Sequence, residues 1–370
     1  MSQQKYNIHS IIKAFNFKGT YIEAQLYGFG HINDTYAVHF ANSDGSLHRY
    51  ILQRINHNVF KQPEALMGNI EGITKYLRKA IIDASGNPAR ETLNLVPAYN
   101  GKSYYKDDDG NYWRAYIFIE GARTYQVVEK PEHFYKAGKA FGTFQKLLDS
   151  YPASTLSETI PNFHNTKKRF EAFVEAVEKD STGRAKDVRP EIEFALARGA
   201  EMGTLVELLE SGKLPLRVTH NDTKFNNVMI DDLTGDGICV IDLDTVMPGL
   251  SLYDFGDSIR FGANPAAEDE KDLEKVWMDM KLFEEFTRGF LEAAGDSLTE
   301  AELDYLPLSA RVMTYECGIR FLTDHLNGDT YFKIHREGHN LDRARTQFKL
   351  VADMELKHGL MVQAVKKYRG

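Results

Sequence analysis

His220, Asp222, Lys224 and Asn227 lie in the segment Val218-Thr219-His220-Asn221-Asp222-Thr223-Lys224-Phe225-Asn226-Asn227-Val228, an H-x-D-x-x-x-x-N pattern. An acidic pair, Asp242 and Asp244, follows the apolar run Val240-Ile241. These residue types suit phosphoryl transfer, which demands a positioned hydroxyl and neutralised phosphate charge but little covalent work from the protein. Asp222 can orient the hydroxyl and accept its proton. Asn227, later on the same loop, can offer Mg²⁺ a neutral oxygen, and Asp242 an anionic one bridging metal and phosphates. Lys224 can offset charge on the moving phosphoryl. A loop rich in Asp and Asn between strands is more often only a turn, because both residues tolerate tight backbone conformations. The strand-borne Asp-x-Asp at hairpin distance is what favours the functional reading.

The elements around these residues come in a definite order. Up to about residue 120 the pattern is β-rich, with strands expected at 21–26, 35–40 and 49–55 and short apolar runs at 93–96 and 113–119. One amphipathic helix interrupts it, with Leu66, Ile70, Ile73 and Leu77 on one stripe of residues 63–80. Beyond Gly121 helical periods dominate, at 133–148, 166–179 and 189–210, and again from 269 to the C-terminus. Between them stand short strands at 216–219, 228–230 and 238–243. The expected fold is α+β and two-lobed. Residues 1–120 would form a small nucleotide-binding lobe, and residues 121–370 a larger, mostly helical catalytic and acceptor-binding lobe carrying a catalytic hairpin. A cleft between lobes is a usual place for small molecules.

Composition narrows the class. A chain of 370 residues has room for two packed domains. Its short apolar runs do not span a bilayer, so no membrane role is expected. The first residues lack the basic and apolar regions of a signal peptide. Cys239 and Cys317 form no CxxC pair, which argues against a disulfide scaffold or structural zinc and fits a reducing cytoplasm. A formal net charge of −8 does not suit nucleic-acid binding, which needs a basic footprint, but leaves ATP open. No internal repeat is visible.

The loop THNDTKFNN with VIDLD resembles the catalytic and metal-binding loops of the aminoglycoside phosphotransferase and choline kinase superfamily, which has a protein-kinase-like fold. The segments GFGHINDTYAV, RYILQRIN, IDLDTVMPG, LYDFGDSIR and RFLTDHLNGDTYF…GHNLDRARTQ resemble its N-acetylhexosamine 1-kinase branch, from about residue 20 to about residue 355. The resemblance implies Asp222 as base, Asn227 and Asp242 as Mg²⁺ ligands, and ATP as donor. The acceptor it implies is the anomeric hydroxyl of N-acetylglucosamine or N-acetylgalactosamine.

Further residues follow from position. Gly28 and Gly30 would let a flap approach phosphates, with Asn33 and Thr35 as side-chain donors, although the longer G-x-G-x-x-G pattern is missing. Folds of this kind usually place a lysine on the third strand, where this chain has Gln53, with Arg54 beside it on the opposite face. Either could serve the phosphates, and Glu71 is the candidate helical partner. The stretch 113–121, including Ile119, resembles the interlobe hinge that reads adenine. Asp254 is expected to brace the catalytic loop. Glu316, Arg320 and Asp324, at successive i, i+4 positions, read either as a surface ion-pair ladder or, with Tyr315, as an acceptor pocket that Asp244 and His31 would join. Other readings are another acceptor (a different sugar, a choline-like amino alcohol, an aminoglycoside) and an inactive nucleotide-binding module. A dinucleotide oxidoreductase fails, since its glycines would precede a helix and these precede a strand.

Overall fold

The computed structural model describes residues 6–28 and 32–369. Its first part is an antiparallel sheet made of β1 (Thr20–Leu26), β2 (Asp34–Ala41), β3 (Leu47–Ile55), β4 (Tyr105–Lys106) and β5 (Tyr112–Ile117), in the order β1-β2-β3-β5-β4. A short helix α1 (Ile8–Ile12) covers one face, where Ile8, Ile11 and Phe15 pack with Val38, Leu52 and Trp113 in a core of their own. The long helix α2 (Pro63–Asp83) turns Leu66, Ile70, Ile73 and Leu77 inward, as the stripe requires. They join the core of the larger part, so no apolar boundary separates α2 from the helices beyond residue 120.

After β6 (Ala122–Arg123) come α3 (Pro131–Leu147), α4 (Thr166–Lys179), α5 (Arg189–Leu196), α6 (Gly199–Met202) and α7 (Thr204–Glu210). The single helix expected over 189–210 is thus three short ones. Gly199 lies so close to Phe170 that a Cβ there would meet its ring at 2.3 Å, a contact that fixes one break. Two small sheets then carry the loops of interest: β7 (Arg217–Thr219) with β10 (Met247–Gly249), and β6 with the hairpin β8 (Val228–Asp231) and β9 (Gly237–Val240). Helices α8 (Ser251–Gly262), α9 (Met280–Ala294), α10 (Glu300–Leu326) and α11 (His339–Tyr368) complete the chain. Among the described residues no helix is long and apolar enough to cross a membrane. This mixed architecture, an N-terminal antiparallel sheet before a helical remainder, is the protein-kinase-like α+β arrangement expected from the sequence.

The helix ends show how the sequence fixes this part. Thr299 and Glu302 form a capping box at the start of α10. Glu302, fully buried, also accepts from Arg217 on β7 and from Ser251 at the start of α8, tying three elements at one carboxylate. Helices α3 and α9 cross closely because Gly138 and Gly289 face each other's backbones. A Cβ at Gly289 would meet the Tyr135 carbonyl oxygen at 2.1 Å. Gly289→Ala is therefore expected to force the helices apart and lower stability by about 1–3 kcal/mol. Thermal unfolding checks this, and an unchanged midpoint would contradict the close crossing.

Candidate active site

The catalytic-loop candidate leaves β7 and returns into β8, and its shape is set by residues on either side. Asn221 holds a left-handed backbone (φ +64°), a conformation its short polar side chain tolerates. Asp254 on α8 accepts from the backbone N–H of His220 at 2.9 Å and of Asn221 at 2.8 Å, while Gln145 of α3 donates to the same carboxylate at 2.8 Å. Thr223 Oγ1 donates to the Asp254 carbonyl. His220 Nε2 lies 2.8 Å from the Ile241 carbonyl, so it donates there, and Nδ1 accepts from the Asp222 N–H at 3.3 Å. One imidazole thus spans the backbone beside Asp222 and the backbone beside Asp242.

On this frame the side chains converge. Lys224 Nζ stands 2.8 Å from Asp222 Oδ1. Asn227 Nδ2 donates to the Asp222 carbonyl at 2.8 Å, which turns its Oδ1 the other way. Ile241 N–H donates to the Asn227 carbonyl at 2.9 Å and registers β9 against the loop. Asp242 itself is left-handed (φ +61°), ending β9 before the strand length expected from the sequence and turning its carboxylate out of the ladder. Its side chain keeps contact with solvent, whereas Asn227 is buried.

The charges follow the geometry. Burial works to raise the Asp222 carboxyl, but the Lys224 ammonium outweighs it and holds Asp222 below the usual carboxylate range. Asp242 moves the opposite way, pushed up to about 6 by the protein crowding the cleft around its solvent-reached carboxylate and by the like charges of Asp244 and Asp222. That excess of negative charge, beside a neutral amide oxygen, suits a hard divalent cation. Among the described residues no cluster of three or more His, Cys, Asp or Glu could hold a metal unaided. Magnesium at phosphates needs less, one or two protein oxygens completed by substrate and water. The residues present fit that demand.

The other candidates separate into groups. Gln53 Nε2 donates to Thr35 Oγ1 at 3.0 Å, and Gln53 Oε1 accepts from Arg114 Nε at 3.0 Å. Arg54 lies on the opposite face, its Nε 2.6 Å from Asp34 and its guanidinium over Tyr6. The two are divided as strand alternation requires. Gly28 is exposed with φ +80°, while Gly30 and His31 lie outside the described residues. Asn33 donates to Asp244 at 2.6 Å. Ile119 is buried just past β5, where its backbone pairs with no other described backbone group. Glu71 stands exposed on α2 and pairs with no described cation. An inward polar group of the helix is Asn69, which donates to Ser157 and Val246 carbonyls at 2.8 and 3.0 Å.

Four expected acceptor residues need correction. Glu316 is buried, with one carboxylate oxygen 2.8 Å from His164 Nδ1 and the other accepting from Thr166 at 2.6 Å, so no surface ladder exists. Tyr315 is wholly buried and donates to the Ala195 carbonyl at 2.8 Å, which places it in the core. Asp324 accepts from the backbone N–H groups of Thr330, Tyr331 and Phe332, shaping the turn after α10. Asp244, also buried, is committed to Arg114 and Asn33. Among the described members of the set, Arg320 alone remains part-exposed, with Phe163 and Phe332 beside its guanidinium. Nearer Lys224 stand Asp257 and Arg260 of α8, paired at 2.8 Å.

Sequence reasoning missed Arg114, Asn69 and His164. The last lies with Nε2 3.0 Å from the Asn221 carbonyl and braces the loop from the side opposite Asp254. A cavity of about 430 Å³ between α2, α3 and β9 holds none of the site residues.

A family model described as "Phosphotransferase enzyme family" matches residues 23–294. Solved structures share the fold at low identity. An aminoglycoside phosphotransferase from Alicyclobacillus acidocaldarius is 12% identical, with 99% of this chain and 98% of that one covered and a TM-score of 0.64. Choline kinase from Cryptosporidium parvum Iowa II is 14% identical, covering 97% and 96%, with a TM-score of 0.59. Spectinomycin phosphotransferase, in complex with ADP and spectinomycin, is 13% identical, covering 95% and 97%, with a TM-score of 0.57.

Proposed function

This chain belongs to the phosphotransferase enzyme family, and from that premise we propose that it is an ATP- and Mg²⁺-dependent kinase of an N-acetylhexosamine. The reaction would pass the γ-phosphoryl to the anomeric hydroxyl of N-acetylglucosamine or N-acetylgalactosamine and leave the sugar 1-phosphate. Residues 1–120 would bind the nucleotide and residues 121–370 the acceptor, in the cytoplasm.

The observation that carries the reading is the convergence of Asp222, Lys224, Asn227 and Asp242 through His220 and the Asn227–Ile241 backbone bond. Asn227 and Asp242 would hold Mg²⁺, which when bound neutralises charge on the nucleotide phosphates. Asp222, kept ionised by Lys224, orients the acceptor hydroxyl and takes its proton. Its low basicity is tolerable, because a loose transition state calls for that proton late and asks mainly for positioning. Lys224, 2.8 Å from Asp222, would share its charge between that carboxylate and the transferred group. Thr35, Gln53 and Asn33, on the sheet side, and Ile119, past β5, are the groups assigned to the nucleotide. Arg320, between two aromatic rings, is the cation assigned to the acceptor.

The choice of sugar rests on the resemblance of the flap, hairpin and α10 segments to the N-acetylhexosamine 1-kinase branch. Phosphorus NMR of products formed from ATP and a panel of acceptors tests it. Anomeric phosphate on the N-acetylated sugars alone is the expected result. Phosphate on choline, an aminoglycoside or another sugar would keep the chemistry and replace the acceptor. Nucleotide binding with no product from any acceptor would favour the inactive module.

A further inference from the structure

Where folds of this kind carry a strand lysine, this chain has Gln53, and Arg54 has turned away to Asp34. A cation nevertheless stands next to that place. Arg114 on β5 is the cross-strand partner of Gln53 and is only 1% exposed. Its Nε donates to Gln53 Oε1 at 3.0 Å, and its Nη1 pairs with Asp244 Oδ1. The second carboxylate oxygen of Asp244 accepts from Asn33 at 2.6 Å, and Asn33 Oδ1 accepts from the Asn56 N–H at 2.9 Å. A continuous set of bonds therefore runs from the N-terminal sheet to the turn that carries Asp242. A buried ion pair holds a defined geometry best when its other donors and acceptors are engaged, and here Arg114 Nε and both Asp244 oxygens have partners. The planar guanidinium fork fixes two acceptors in set directions, which an ammonium does not.

We propose that Arg114 is a positioning residue for the turn that carries Asp242. It locks Asp244, and through it the Asp242-bearing turn, against β3 and β5, so that the metal-binding carboxylate is in place when the nucleotide arrives. The proposal rests on the kinase reading above. Unlike a strand lysine, Arg114 acts through the turn and does not hold the nucleotide itself.

Calorimetric titration with ADP, with and without Mg²⁺, tests this on the wild type, Arg114→Lys and the double variant Arg114→Met/Asp244→Asn. The double variant removes both charges and leaves no unpaired buried ion, so it keeps the fold if the single one does not. Thermal unfolding monitors both. Partners that orient a metal ligand typically change metal affinity 10–100-fold. The expected result is a loss of about tenfold or more in Mg-ADP affinity in both variants, well beyond any change in metal-free ADP binding. Wild-type Mg-ADP affinity in folded variants would overturn the proposal, and so would an equal loss without Mg²⁺, which would make Arg114 a nucleotide contact. A wild type that binds no Mg-ADP would remove the kinase reading and this proposal with it.

Discussion

Asp222→Asn is expected to lower phosphoryl transfer by about 10²–10⁴-fold, the usual contribution of a positioned proton acceptor. The amide keeps the size of the carboxylate, and the loop is held by the His220 and Asn221 N–H groups and by the Asn227 side-chain amide, bonds the substitution leaves in place. Nucleotide affinity should therefore stay within a few-fold of wild type. The effect should appear in kcat and not in the KM for ATP, because only the step that moves the hydroxyl proton has lost a partner. Loss of the negative charge also frees Lys224, now 2.8 Å from Oδ1, so a modest tightening of nucleotide is compatible with the account. Retained turnover would contradict the assignment of Asp222, and a matching collapse of ATP binding would show that its role is to hold the loop.

Asp254→Asn should have the next largest effect, although Asp254 touches no reacting group. Its two carboxylate oxygens accept from the N–H groups of His220 and Asn221, and one also accepts from Gln145. An amide must turn an NH₂ toward one of these donors, leaving a buried N–H unpaired at a cost of about 1–3 kcal/mol. The segment so released carries Asp222, and an error of about 1 Å in a reacting group can cost about 10²-fold in rate. We expect a fall in kcat of that order with a lowered unfolding midpoint. A lowered midpoint with wild-type kcat would show that His164, on the Asn221 carbonyl, suffices to hold the loop.

What the sequence disclosed and what it hid divide by distance along the chain. Asp222, Asn227 and Asp242 are separated by a turn and a hairpin, so their types and spacing survive as a readable pattern. The stripe of α2 was legible for the same reason, since one helix face records one packing surface. Arg114, Asn69 and His164 act on partners dozens to well over a hundred residues away, and no local period marks such pairings. The reading of α10 failed in a different way. Spacing of i, i+4 implies an ion-pair ladder only on a solvated face, and α10 is buried on nearly every side, so Glu316 and Asp324 found partners elsewhere. Strand alternation, by contrast, correctly set Gln53 and Arg54 on opposite faces, while the cation on the neighbouring strand stayed out of view.

The most direct test of the central claim, a metal-dependent phosphotransferase with Asp222 as base, is ADP release from ATP. It would be followed with and without Mg²⁺ and N-acetylated hexosamines, in wild type and Asp222→Asn side by side. The account predicts release that requires both metal and acceptor in the wild type and is nearly abolished in the variant, with Mg-ADP bound comparably by both. Release that continues in Asp222→Asn, or that proceeds without a divalent metal, would contradict it.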